Sequence, residues 1–65
     1  MEEYQKRVVA EKEELDGRLM KLINFSSAET YWKLNSAERE RLRRQTLIMM
    51  NYSTVLGERI EAFIK

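Results

Sequence analysis

Hydrophobic residues recur at intervals of seven in the first third of the chain. The row consists of Val8, Leu15 and Leu22 and is widened by Tyr4, Leu19 and Ile23. Apolar positions at this period form one face of an α-helix. The pattern therefore predicts a helix over about 2–24.

Two residues interrupt this predicted helix. Lys12 stands where another apolar residue would be expected. We expect its methylene stem to cover the seam while its amine reaches water. Gly17 costs roughly 1 kcal/mol in a helix interior, and it fits either a tolerated surface glycine or the close approach of a neighbouring helix.

A second row of the same period runs through the C-terminal half. Its members are Leu42, Met49, Leu56 and Phe63, with Ile48, Val55 and Ala62 in a flanking row. The stretch Asn35-Ser36-Ala37-Glu38 carries the residue types that cap a helix N-terminus. These signals together predict a long helix over about 36–64.

The stretch 25–34 between the two rows follows neither. Ser26 and Glu29 have the spacing of a capping box, which predicts a short helix carrying Tyr31 and Trp32. The predicted fold is all-α. It is a helical hairpin with a short connecting helix and a long C-terminal helix, in a single domain over 1–65.

Helix lengths and the size of the chain predict self-association. At 1.5 Å per residue the long helix reaches about 42 Å and the first only about 33 Å, and Leu47-Ile48-Met49-Met50 points apolar side chains to every side. With 65 residues and no Cys, oligomerisation is the remaining way to add stability. We therefore expect a homo-oligomeric helical bundle. The predicted interface residues are Leu42, Ile48, Met49, Val55, Leu56 and Phe63.

Composition narrows the classes of function. Without His or Cys the common general bases, nucleophiles and zinc ligands are missing, so we expect no enzyme, no metal and no cofactor. A net charge of +1 argues against binding of a nucleic-acid polymer. The longest apolar run is far shorter than a membrane span, and the acidic, polar N-terminus is unlike a signal peptide. A cytoplasmic protein fits these features best.

Two clusters could bind a ligand. Around the connector and the start of the long helix lie Tyr31, Trp32, Lys33, Arg39 and Arg43. Arginines that bind phosphates, aromatic faces that stack on bases and a helix N-terminus are the parts of a nucleotide site. The other interpretation is a solvated helix face held by salt bridges.

The second cluster lies in the middle of the long helix. Asn51-Tyr52-Ser53-Thr54 are weak helix formers that propensity does not favour there. They fit either a mixed polar seam between packed helices or a ligand cavity at a subunit interface. In the second interpretation Asn51, Tyr52 and Thr54 read base or ribose edges.

Two sequence strings resemble those of a family of short helical proteins encoded by tailed phages and prophages. They are Arg7-Val8-Val9-x-Glu11-Lys12-x-Glu14-Leu15-Asp16 and, later in the chain, Tyr52-Ser53-x-Val55-Leu56. The resemblance covers nearly the whole chain and implies a phage origin. The stretch 31–38 resembles the hairpin region of phage cyclic-nucleotide sponges. These sponges counter CBASS-type and Thoeris-type immunity, and they are small helical homo-oligomers that hold signalling nucleotides between protomers.

Two functional hypotheses follow. In the first, a non-enzymatic phage-type protein acts in the host cytoplasm. It sequesters cyclic oligonucleotide or cyclic ADP-ribose signals in pockets between protomers and so inhibits anti-phage defence. In the alternative, a helical interaction module inhibits or regulates a host protein through its apolar helix face.

Overall fold

The computed structural model describes residues 1–64 and contains three helices in this range. They are α1 (Glu3–Ser26), α2 (Glu29–Trp32) and α3 (Ser36–Phe63). The long helices α1 and α3 pack against each other, and α2 lies in the connection at one end. The predicted all-α hairpin with a short connecting helix is confirmed.

The helix starts follow local capping chemistry. The Asn35 side chain accepts a 2.8 Å hydrogen bond from the backbone N–H of Glu38, so the predicted cap of the long helix is confirmed. At the start of α1 the backbone N–H of Glu2 donates to the Gln5 side chain at 2.8 Å. These bonds satisfy groups that a helix end leaves without partners.

The capping box predicted at Ser26 is wrong. Ser26 is the last residue of α1, and its hydroxyl donates to the carbonyl of Leu22 at 2.9 Å. A serine can make this bond to the preceding turn instead of capping the next helix. Ala28, whose side chain offers no acceptor, occupies the N-cap of α2. α1 therefore ends two residues later than the pattern predicted.

The core lies along the seam between α1 and α3. Val8 and Leu15 of α1 and Leu56 of α3 are buried, and Leu56 is 0% exposed. Met49, Ile60 and Phe63 pack against this cluster in a partly buried layer. The seven-residue rows of the two helices thus face each other within one chain.

The hairpin is fixed in register by a polar cluster beside the core. The Lys12 amine donates to Asp16 at 3.0 Å and to Ser53 at 2.7 Å, and the Ser53 hydroxyl donates to Asp16. The amine thus bonds to two neighbouring side chains, while 29% of the Lys12 side chain stays exposed. We call Lys12, Asp16 and Ser53 the polar clasp.

The two glycines have different surroundings in the single chain. A Cβ added at Gly57 would lie 3.5 Å from Lys12 Cε, whereas one added at Gly17 would have no neighbour within 4 Å. Within the described chain Gly17 is thus a surface glycine. The close approach belongs to Gly57, beside the stem of Lys12.

Candidate functional site

The connector folds its aromatic residues into one cluster. Tyr31 makes edge-on contacts with Phe25, with ring centroids 6.1 Å apart, and with Trp32 at 5.2 Å. The Tyr31 hydroxyl donates to the backbone carbonyl of Arg39 at 3.4 Å. This bond ties the connector to the first turn of α3.

Arg39 extends over the open side of this cluster. Its guanidinium carbon lies 5.3 Å from the centre of the Trp32 ring, a distance typical of a cation–π contact. Trp32 is nonetheless 65% exposed. An aromatic face and a cation are therefore presented together at the surface. We call Phe25, Tyr31, Trp32 and Arg39 the connector corner.

The other predicted cations of this region are arranged differently. Arg43 forms a two-pronged pair with Glu40, with N–O distances of 2.8 and 3.0 Å. Its hydrogen bond raises the pKa of the Arg43 guanidinium and lowers that of the Glu40 carboxyl. Lys33 is exposed at the C-cap of α2. Arg39 thus lies over the Trp32 ring of the connector corner, whereas Arg43 is paired with the Glu40 carboxylate at the surface.

The mid-helix residues lie apart from the corner. Tyr52 is 44% exposed, Asn51 is exposed, and the Thr54 hydroxyl donates to the Met50 carbonyl at 3.0 Å. Tyr52 lies thirteen positions after Arg39 on one continuous helix, a distance of about 20 Å. One chain therefore does not bring the two predicted ligand clusters together.

The residues predicted for an oligomer interface divide into two groups. Met49, Leu56 and Phe63 belong to the seam with α1, and Leu42 is half-buried. Ile48 is 67% exposed and Val55 50% exposed. Of the predicted interface residues, this second pair is the more exposed in the described chain.

Two groups in the described chain were not foreseen as parts of a site. Phe25 joins the corner, and the sequence signal for it was only an aromatic residue close to the connector. The polar clasp was foreseen only in part, because no sequence spacing pairs Lys12 with a serine forty-one residues away. Its hydrogen bonds hold the pKa of Asp16 below its ordinary value, the bond from Ser53 first and that from Lys12 second.

The remaining surface of the described residues is simple. Residues 1–64 enclose no detected cavity and contain no group of three or more carboxylates placed to hold a metal ion. No helix in this range is both long and apolar enough to cross a membrane.

Comparison with known proteins gave one finding. A family model described as Sequestin matches residues 2–62, which includes both long helices and the connector. Curated proteins and solved structures gave no match. The family description fits the coarse expectation of a small protein that binds and sequesters a partner.

Proposed function

Because the chain belongs to the Sequestin family, we propose that it is a non-enzymatic phage-type protein that sequesters nucleotide signals of host immunity. The ligands are cyclic oligonucleotides or cyclic ADP-ribose isomers, held between protomers in the host cytoplasm. Sequestration lowers the free concentration of the signal, so one binding site per captured molecule suffices and no bond is broken. Sequestration therefore needs no catalytic residue, which agrees with the expectation from the sequence that the chain is not an enzyme.

The observation that carries the ligand class is the connector corner. Trp32 offers an exposed face on which a base stacks, and such stacking contributes about 1–3 kcal/mol per base. Arg39 lies over the same ring and can turn to a phosphate oxygen with a charge-assisted hydrogen bond. An aromatic ring for the base and a guanidinium for the phosphate therefore lie next to each other, within the reach of a single nucleotide.

Further phosphate contacts come from Arg43 and Lys33. Arg43 must exchange Glu40 for the ligand, and this ion pair lies at the surface, where water and salt weaken it. The exchange therefore costs little. Because the corner is an open surface in one chain, a second protomer supplies the walls that enclose the ligand.

The test is equilibrium ultrafiltration of the full chain with cyclic di- and trinucleotides and cyclic ADP-ribose isomers. We expect one nucleotide class to be retained in fixed stoichiometry and to be recovered chemically unchanged after heat denaturation. Retention of none of them contradicts the proposal. Recovery of a hydrolysed product contradicts the non-enzymatic part alone.

A paired substitution identifies the corner as the site. Arg39→Glu with Arg43→Glu should abolish retention and leave the oligomer mass unchanged, because both side chains lie outside the helix seam. Lys6→Glu with Arg7→Glu makes the same change in net charge at the opposite end of the hairpin and should retain the nucleotide. Equal losses in both variants would mean that net charge, and not the corner, governs binding.

The alternative function has one observation in its favour. Leu47 and Met50 of α3 and Met20 of α1 are exposed, and adaptable methionine-rich surfaces suit protein partners. In this alternative the chain inhibits or regulates a host protein through that surface. The wild-type chain should then retain no nucleotide and should inhibit a purified host protein. Leu47→Glu with Met50→Glu should abolish that inhibition.

A further inference from the structure

A second helical row on α3 has no partner in the single chain. Ile48, Val55 and Ala62 lie one position before the members of the buried row, at the same spacing of seven. Residues at this spacing lie on one helix face. Ile48 is 67% and Val55 50% exposed, and Ala62 is exposed, so the row forms an uncovered apolar strip beside the core.

The exposed area of the chain matches what a second copy would cover. The surface of the single chain is 5097 Å², whereas a folded monomer of this mass exposes about 4,400 Å². The surplus is close to the roughly 800 Å² that each partner loses in a standard interface. Identical chains most often pair about a twofold axis.

Charge selects the direction of this pairing. From Ser36 to Ile48, α3 carries four arginines and two glutamates, and from Met49 to Phe63 it carries one arginine and two glutamates. Parallel pairing would place the two basic halves together. Antiparallel pairing places the half of each helix with net positive charge against the half of the other with net negative charge, and the helix dipoles then also oppose.

An antiparallel register centred between Asn51 and Tyr52 packs Ile48 against Val55 of the partner subunit. The same register sets Arg44 opposite Arg59 of the partner subunit, once at each end of the apolar strip. Among the described residues neither arginine has a carboxylate oxygen within 4.0 Å, although the charge of Arg44 helps to lower the pKa of Glu40. Two facing guanidinium groups repel each other, and a phosphate between them removes that repulsion through charge-assisted hydrogen bonds.

We propose that two copies pair α3 antiparallel along Ile48 and Val55, and that Arg44 with Arg59 of the partner subunit binds a phosphate group at each end. The pairing stands on the geometry and charge of α3 alone. The identity of the phosphate carrier, a signalling nucleotide, rests on the proposed function. The site deepens that function by adding two arginines outside the connector corner.

Disulfide trapping tests the pairing, and the absence of native Cys leaves no competing thiol. Ile48→Cys and Val55→Cys chains are prepared separately, mixed, and oxidised under native conditions. A disulfide needs Cα atoms about 4.4–6.8 Å apart, so we expect the 48–55 heterodimer from the mixture and little product from either chain alone. Thr54→Cys, on another face of the same helix, is the matched control.

Each other result overturns the pairing. A 48–48 product from the first chain alone indicates parallel helices. No cross-link from chains whose circular dichroism is that of the folded hairpin places the partner on another face. Cross-linking of the Thr54→Cys control at the same rate means that the products report random collision.

A charge-reversal cycle tests the arginine pair without any nucleotide. Arg44→Glu alone and Arg59→Glu alone should each lower the dimer dissociation constant by about two- to thirtyfold, the range of two exposed ion pairs, since each turns the repulsion at both ends of the dimer into an attraction. The double variant should return to the wild-type value. Additive effects of the two substitutions contradict the juxtaposition.

Sodium pyrophosphate and a cyclic dinucleotide test the anion site. Pyrophosphate should raise the dimer fraction of the wild-type chain more than sodium chloride does at equal ionic strength. Arg44→Gln with Arg59→Gln should abolish that difference and weaken cyclic dinucleotide binding roughly tenfold. A pyrophosphate response without nucleotide binding supports the anion site and contradicts the proposed phosphate carrier. If the chain responds to neither pyrophosphate nor the cyclic dinucleotide, the anion site itself is overturned.

Discussion

The two apolar rows of α3 have the same spacing of seven, but only one of them is used within the chain. The row with Met49 and Leu56 packs against α1. The row with Ile48 and Val55, one position earlier, remains exposed. Adjacent residues of one helix thus divide between stabilising the hairpin and offering a surface to a second molecule. The spacing of seven identifies helical rows but does not say which partner each row has.

Truncating the two rows should have the largest and most unequal effects. Leu56→Ala removes a fully buried side chain and should lower the free energy of unfolding by roughly 2–5 kcal/mol. That is a large share of the about 3–10 kcal/mol expected for a domain of this size. Val55→Ala should change the unfolding of the dilute monomer by less than about 0.5 kcal/mol. Chemical denaturation followed by circular dichroism measures both, and equal losses would contradict the division.

A charge placed in each row should separate folding from assembly. Met49→Glu puts a carboxylate against the core and should reduce helicity at all protein concentrations. Ile48→Glu, its immediate neighbour, should keep the helicity of the hairpin while reducing the mass of the assembly. Sedimentation with parallel circular dichroism distinguishes the two. An unchanged mass for Ile48→Glu would place the interface on another surface.

The polar clasp makes a smaller, pH-dependent contribution to the free energy of unfolding than the buried row does. Because the folded-state pKa of Asp16 lies below its ordinary value of 3.8, its contribution is present above that value. It is lost as the pH falls through the folded-state pKa. Between about pH 5 and pH 2 the wild-type chain should therefore lose more stability than Asp16→Asn. Thermal melts across this range test the sign, and parallel curves would mean that the clasp does not persist in solution.

Small gains in stability are expected at the two glycines. Alanine at Gly17 meets no atom within 4 Å and should raise the free energy of unfolding by up to about 1 kcal/mol through helix propensity. Gly57→Ala should give a similar gain, because its new methyl group would lie 3.5 Å from Lys12 Cε, an ordinary van der Waals distance. A destabilised Gly17→Ala chain that also loses mass in sedimentation would instead reveal a neighbouring helix at Gly17.

Most of the fold was predictable because its signals are local. The seven-residue rows and the Asn35 cap define both long helices, and the break between them defines the connector. The capping box predicted at Ser26 is wrong because a serine three residues before a glutamate can either cap the next helix or bond back into its own. Sequence spacing alone does not distinguish these uses.

The candidate site was predictable only as a set of residue types. Trp32 and Arg39 do meet, since both lie beside the same turn. The distance between Arg39 and Tyr52 follows from the continuity of α3, which sequence also predicted, so the division into two clusters could have been anticipated. The bond from Lys12 to Ser53 could not, because it depends on the register of two helices distant in the chain.

Native mass spectrometry of the full chain, alone and with cyclic di- and trinucleotides and cyclic ADP-ribose isomers, tests whether protomers sequester a nucleotide between them. We expect a closed oligomer of even subunit number that gains whole nucleotide masses in fixed stoichiometry. A monomer, or an oligomer that binds none of these nucleotides, would contradict sequestration between protomers.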